Sequence, residues 1–287
     1  MSYLESNWLD LQWAPWISFS SPKSEWLLLP NQSGLYRVKP ENSNLIAYIG
    51  ETGKGLRDRI NALRRGTLSE LMPFNDPHTA APNLWAWREE KHWNYECSAS
   101  PFTKSRVDRK AMECLLLWKY RLEKWESTLC NHGRFHKNYR KSSNRSKNKR
   151  GYHLHNSEIN PSSGPSSKPL KLQGTPLDLD WMGVPWSRVF QLARESLRQL
   201  PNKPAVVKIF DPKTESLVYI GETKGLKNRF MQHCRTYQDD SLSFSFSLLP
   251  ESTKDYQLNE IENDLIGAYY SQTLLVPKHQ FSSSNTK

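Results

Sequence analysis

The sequence has no run of 18 apolar residues, so no segment reads as a transmembrane helix. Its opening, Met1-Ser2-Tyr3-Leu4-Glu5, lacks a basic stretch followed by an apolar one, and no secretory signal is expected. Cysteine is scarce: Cys97, Cys114, Cys130 and Cys234 are widely spaced and form no Cys-x-x-Cys pair. That spacing argues against a disulfide framework or a zinc site and reads as reduced thiols of a cytoplasmic or nucleoid-associated protein. No helix-turn-helix or zinc-finger spacing is present to read bases. Acids are outnumbered, 29 Asp and Glu against 40 Lys and Arg, for a net charge of +11 over 287 residues. Such a balance favours a polyanionic partner, nucleic acid or an anionic surface.

What is present is a repeat. Tyr48-Ile49-Gly50-Glu51-Thr52 recurs as Tyr219-Ile220-Gly221-Glu222-Thr223. Downstream, Lys54-Gly55-Leu56 and Arg59 answer Lys224-Gly225-Leu226 and Arg229. Upstream, Leu29-Pro30 and Gly34–Val38 answer Leu200-Pro201 and Ala205–Ile209. Still earlier, Leu9-Asp10-Leu11, Trp13, Pro15 and Trp16 are paired with Leu177-Asp178-Leu179, Trp181, Pro185 and Trp186. The kept order indicates a duplicated domain. The expected division is 1–135 (core 30–135), a basic, flexible linker over 136–176, and a second domain over 177–287.

Trp8, Trp13, Trp16 and Trp26 are expected to pack under the first sheet. Leu35–Val38 and Leu45–Ile49 form a hairpin around a turn-forming cluster, residues 40–44. A turn centred on Asn42 sets Tyr36 directly opposite Tyr48, on one face. Leu56, Ile60 and Leu63 give the next helix one apolar stripe. Arg59 borders that stripe and leans toward the tyrosines, while Arg57 points elsewhere, toward solvent or a phosphate. Residues 66–83 read as loop, and Leu84–Trp87 and Trp93–Cys97 as strands. A helix from about Ser105 carries Glu113 at the edge of its stripe. Residues 134–150 hold eight Lys or Arg and no acid, and 156–176 are rich in Ser, Pro, Asn and Gly, so neither piece folds alone. In the second half, Val206–Ile209 and Leu217–Ile220 repeat the hairpin. Leu226, Phe230 and His233 repeat the stripe, and Ser241–Ser247 alternates as a strand. On the last helix Glu262, not Glu260, answers Glu113, because Glu262-x-x-Leu265-Ile266-x-x-Tyr269 matches Glu113-x-x-Leu116-Leu117-x-x-Tyr120.

A Gly-Leu-Tyr strand, a Tyr-Ile-Gly strand, an Arg on the next helix and a Glu on a later one: this ordered set resembles the GIY-YIG nuclease family. The resemblance covers about 34–131 well and about 200–281 fairly. It implies an α+β fold, two tandem domains each with a small antiparallel β-sheet flanked by α-helices, and metal-dependent hydrolysis of DNA. It assigns catalysis to Tyr36, Tyr48, Arg59, Glu113 and, loosely, Asn131. The family histidine is Leu63 here, which leaves general-base work to Tyr36 or Tyr48. In the second copy Tyr219, Arg229, His233 and Glu262 match, but Val207 stands at the first tyrosine and the closing position holds His279 or Gln280. That site is expected to be weak or dead.

The chemistry suits these residue types. A phenol serves as a base near pH 7 only if cations lower its pKa, which Arg59 and a metal held by Glu113 would do. The metal expected at Glu113, and at Glu262 in the second copy, is Mg2+ or Mn2+, mostly hydrated. Phosphate contacts are expected from Lys54, Arg57, Lys137, Arg140, Lys141, Arg145, Lys147, Lys149, Arg150 and Lys224. The expected protein is an endonuclease acting on double-stranded or branched DNA, with RNA a weaker candidate, as a monomeric pseudo-dimer whose second copy grips the duplex. The competing expectations are a DNA-binding protein without catalysis and a two-site enzyme making double-strand breaks.

Overall fold

Both Tyr-Ile-Gly stretches form edge strands of four-stranded antiparallel sheets built to one plan. The computed structural model describes residues 2–155, 157–238 and 241–281. Asn156 of the expected linker and residues 282–287 of the expected second domain lie outside that set. The chain divides into two units between Ser166 and Ser167. The α+β class is as expected. No described helix is long and apolar enough to cross a membrane.

Unit 1 contains β1 (Ile17–Ser18), α1 (Lys23–Trp26), β2 (Gly34–Pro40), β3 (Tyr48–Thr52), α2 (Leu56–Thr67), α3 (Ala81–Lys91), β4 (Tyr95–Pro101) and α4 (Arg106–Lys124). The sheet order is β1-β4-β2-β3. Every residue of β2 is buried, because both faces are covered. Tyr36 and Val38 join Leu56, Ile60 and Leu63 of α2 in one core cluster. Arg37 and Lys39 point the other way, onto the tryptophans of the first 16 residues. Ser105 caps α4 by accepting the Asp108 amide at 3.2 Å.

The hairpin register differs from expectation by two residues. Tyr36 faces Gly50, and Tyr48 faces Val38. The connection stays irregular through Ala47, whose amide binds the Val38 carbonyl at 2.8 Å. A two-residue offset keeps both phenols on the same face, where a one-residue slip would separate them. Leu84–Trp87 is not a strand: it lies within α3, which Pro82 opens from its first turn. The loop before it therefore ends at Ala80.

Trp8, Trp13 and Trp16 do pack under the sheet, around a buried cation, whereas Trp26 joins the core on the opposite face, with Tyr36 and α2. Arg37 is 1% exposed, and its guanidinium lies 4.2 Å from the Trp13 ring and 4.7 Å from that of Trp16. It donates to the carbonyls of Tyr3, Leu4 and Glu5. Burial lowers its pKa to about 9. Lys208 repeats the device beneath the second sheet, 4.5 Å from Trp186 and donating to Pro176 O at 2.8 Å and Asp178 O at 2.9 Å. The geometry corrects the expected pairing. Trp13 Nε1 binds Trp8 O, and Trp186 Nε1 binds Trp181 O, so Trp8 answers Trp181 and Trp13 answers Trp186.

The stretch 136–166 is not a tether but part of unit 1. It forms a short hairpin of β5 (Tyr139–Arg140) and β6 (Tyr152–His153). Phe135 and Tyr139 pack with Met72 and Ala86. Asn83 Nδ2 binds the carbonyls of Leu129 and Arg134 at 3.0 and 2.9 Å, and Asn160 Nδ2 binds Tyr139 O at 2.7 Å. Asn and Ser, read from composition as loop formers, here supply the cross-links.

Unit 2 contains β7 (Phe190–Gln191), β8 (Ala205–Asp211), β9 (Ser216–Thr223), α5 (Leu226–Tyr237), β10 (Ser243–Leu248) and α6 (Asp255–Thr273). Its order, β7-β10-β8-β9, matches unit 1, and Val207 faces Gly221 as Tyr36 faces Gly50. Residues 167–176 pack here: Glu260 accepts the Ser167 amide at 2.7 Å and Asp264 that of Leu170 at 3.0 Å. Only five residues separate α5 from β10, and among the described residues of unit 2 no helix corresponds to α3.

Candidate active site

In unit 1, β3 is the sheet's edge and α4 packs along it. Tyr36 comes from β2, Tyr48 from β3, Arg59 from α2 and Glu113 from α4. The two phenol rings touch diagonally, with centroids 5.8 Å apart. Tyr48, Arg59 and Glu113 are half-buried, whereas Tyr36 is fully enclosed and its hydroxyl has no hydrogen-bond partner. Arg59 donates from Nη1 to Pro77 O at 3.2 Å. The patch open to solvent therefore consists of three of the four groups, with Tyr36 beneath.

The electrostatics couple all four. Burial raises the pKa of Tyr36, and Arg59 opposes that shift only in part. Tyr48 is raised further, by burial, then by Tyr36 and Glu113. Arg59 alone does not bring either phenol below its ordinary value, because desolvation outweighs it. Burial works against the Arg59 charge, yet Tyr36, Tyr48 and Glu51 together push its pKa up, so it stays cationic. Burial and then Glu51 raise the Glu113 carboxyl to about 8.

Glu51 is a site residue that the sequence argument missed. Strand parity sets it on the face opposite Tyr48, but near the end of an edge strand it reaches Arg109 of α4, with Nε–Oε2 3.1 Å. Its recurrence as Glu222 in the repeated stretch was the available signal. His78 was missed as well. It is 6% exposed, its Nδ1 has no partner, and burial, then Arg59 and Arg65, lower its pKa to about 4.

Asn131 is brought to β3, but its amide is used there as a clamp. Oδ1 accepts the Ile49 amide at 3.0 Å and Nδ2 donates to Ile49 O at 2.8 Å. In unit 2 Gln280, not His279, repeats it, with Oε1 accepting the Ile220 amide at 3.0 Å. Arg57 is half-buried and straps the preceding segment, donating to Leu29 O at 2.9 Å and Leu27 O at 3.1 Å. Lys54, Lys137, Arg140, Lys141, Arg145, Lys147, Lys149 and Arg150 are exposed. Lys224 is exposed too, but pairs with Asp255.

In unit 2, Tyr219, Arg229, His233 and Glu262 gather in the same way. The Tyr219 and His233 rings are 4.8 Å apart. His233 is buried, its Nε2 has no partner, and burial and Arg229 lower its pKa to about 3. Glu262 is raised to about 8 by burial, then by Glu222. Val207 is fully buried in the core and brings no hydroxyl.

No group of three or more His, Cys, Asp or Glu able to hold a metal ion occurs among the described residues. The donors present are a carboxylate pair, Glu113 with Glu51, whose mutual repulsion a cation would relieve. Hard oxygen donors in so small a number fit a magnesium-type ion that keeps most of its own water. Compared with known proteins, this chain matches no family model, no curated protein and no solved structure.

Proposed function

We propose that unit 1 hydrolyses phosphodiester bonds in DNA, as an endonuclease of the GIY-YIG kind, and that unit 2 is weak or inactive. One observation carries this reading: Tyr48, Arg59 and Glu113, from three separate elements, meet half-exposed and electrostatically coupled. Arg59 holds a full positive charge against the non-bridging oxygens, where charge grows during attack. Tyr48, kept protonated, donates a hydrogen bond to the phosphate, and Tyr36 buttresses its ring from below. Glu113, with Glu51 beside it, would hold Mg2+ or Mn2+, and the ion would supply Lewis acidity at the phosphoryl group. In unit 2 Val207 brings no ring to buttress Tyr219 as Tyr36 buttresses Tyr48, which supports a role in binding and disfavours a two-site enzyme.

Nicking of supercoiled plasmid with magnesium tests the reading. Arg59→Ala and Glu113→Ala are expected to abolish cleavage; cutting by both as by wild type overturns it. A second reading, a DNA-binding protein without catalysis, draws on the enclosed Tyr36 hydroxyl. It predicts steep salt dependence of binding and no cleavage with any divalent metal.

A further inference from the structure

Beside the β5–β6 hairpin lies a cavity of about 690 Å³. Arg140, Lys141, Lys147, Lys149 and Arg150 line it, no acid does, and Tyr152 opens onto it with 49% of its surface exposed. The loop that carries these charges is held in shape. The Ser143 amide binds Lys149 O at 2.8 Å, and Ser142 Oγ accepts the Gly151 amide at 2.7 Å. A side chain at Gly151 would collide with the Arg140 carbonyl. The loop is also anchored to the segment before α3, Asn75 N to Ser143 O at 3.0 Å and Arg145 N to Asp76 Oδ1 at 2.6 Å. The next residue of that segment, Pro77, accepts from Arg59. One short stretch thus touches the candidate catalytic arginine and supports the basic cavity.

Crowded cations with no acid among them need an anion. The exposed phenol narrows the class. A duplex turns its bases inward and offers only phosphates, whereas an unpaired strand presents phosphates and a base face together. We propose that this cavity binds an unpaired nucleic-acid strand, its phosphates on the lysines and arginines and one base stacked on Tyr152. The substrate of unit 1 then carries a single-stranded arm near the cut, a corollary that rests on the hydrolase reading; the binding itself does not.

Fluorescence anisotropy of the full chain in EDTA tests the binding separately from cleavage. The probes are a labelled 12-nucleotide oligothymidine and a blunt duplex. The single strand is expected to bind more tightly. Tyr152→Ala weakens it about five-fold or more, Tyr152→Phe restores it, and neither changes duplex binding. Lys147→Gln with Lys149→Gln lowers the slope of log affinity against log salt by about 1.4, two single-strand phosphate contacts. Unchanged single-strand affinity in Tyr152→Ala overturns the proposal, as does an equal loss of blunt-duplex affinity in that variant. So does displacement of the oligomer by thymidine monophosphate or inorganic phosphate at comparable concentration, which marks a free-anion site. Failure of the hydrolase reading appears in the plasmid assay and leaves these titrations as they are.

Discussion

Gly50 stands directly across the hairpin from Tyr36, and a Cβ added to it would lie 2.7 Å from both the Tyr36 hydroxyl and the Tyr48 ring. The glycine is therefore the space in which the phenol pair meets. Gly221 keeps the same space for Tyr219 alone, Val207 standing where the second ring would be.

Gly50→Ala must push at least one ring aside. Overpacking of this kind costs about 1–3 kcal/mol, and displacement of a positioning ring by about 1 Å costs about a hundred-fold in rate. The expected result is a folded protein, melting slightly lower, with plasmid nicking reduced about a hundred-fold.

Tyr36→Phe removes a buried hydroxyl that makes no hydrogen bond of normal geometry, with Arg59 and Tyr48 only loosely beside it. Losing an unsatisfied polar atom is neutral or stabilising by up to about 1 kcal/mol. Thermal melts should show no loss, and cleavage should fall less than in Tyr48→Phe, whose hydroxyl is the one a phosphate can reach. The opposite order of activities would show that Tyr36 meets the substrate.

Glu113 is raised from 4.5 to about 8 by burial and by Glu51. The folded state thus holds a proton there that the unfolded state has released, and stability falls as pH climbs from about 4.5 through 8. Glu113→Gln mimics the protonated form. In EDTA it should melt with wild type at pH 4.5 and above wild type at pH 9. Magnesium should raise the wild-type midpoint at pH 8 by more than it raises that of Glu113→Gln, where only Glu262 of unit 2 is left.

Asn131→Ala leaves the buried Ile49 amide without its acceptor. The expected cost is about 1–3 kcal/mol of stability, read by urea denaturation. The equivalent Gln280→Ala should destabilise unit 2 in the same way, since Ile220 loses its acceptor. A catalytic asparagine would instead lose activity at full stability.

Local periodicity was readable in the chain. The stripe of Leu56, Ile60 and Leu63 placed α2 and brought Arg59 toward the tyrosines, and repeat order identified Glu262 over Glu260. What escaped reading depends on partners distant in sequence. The hairpin register was missed because residues 41–47 form an irregular connection longer than a tight turn. Four residues with two tryptophans suggested a strand at 84–87, yet Pro82 and burial against the sheet make it helix. The fold of 136–166 rests on Phe135 and Tyr139 packing against Met72 and Ala86 and on the Asn160 amide, a residue type that composition counts toward disorder. Glu51 lies on the strand face opposite Tyr48, and its contact with Arg109 of α4 arises only because an edge strand ends there beside a helix.

The indole-roofed cations have a bearing on access. With Arg37 and Lys208 each sealed at 1% exposure, the space between each sheet and its tryptophan layer is filled by the buried cation. The phenol that unit 1 leaves half-exposed, Tyr48, lies instead at the rim of the sheet, on the edge strand β3.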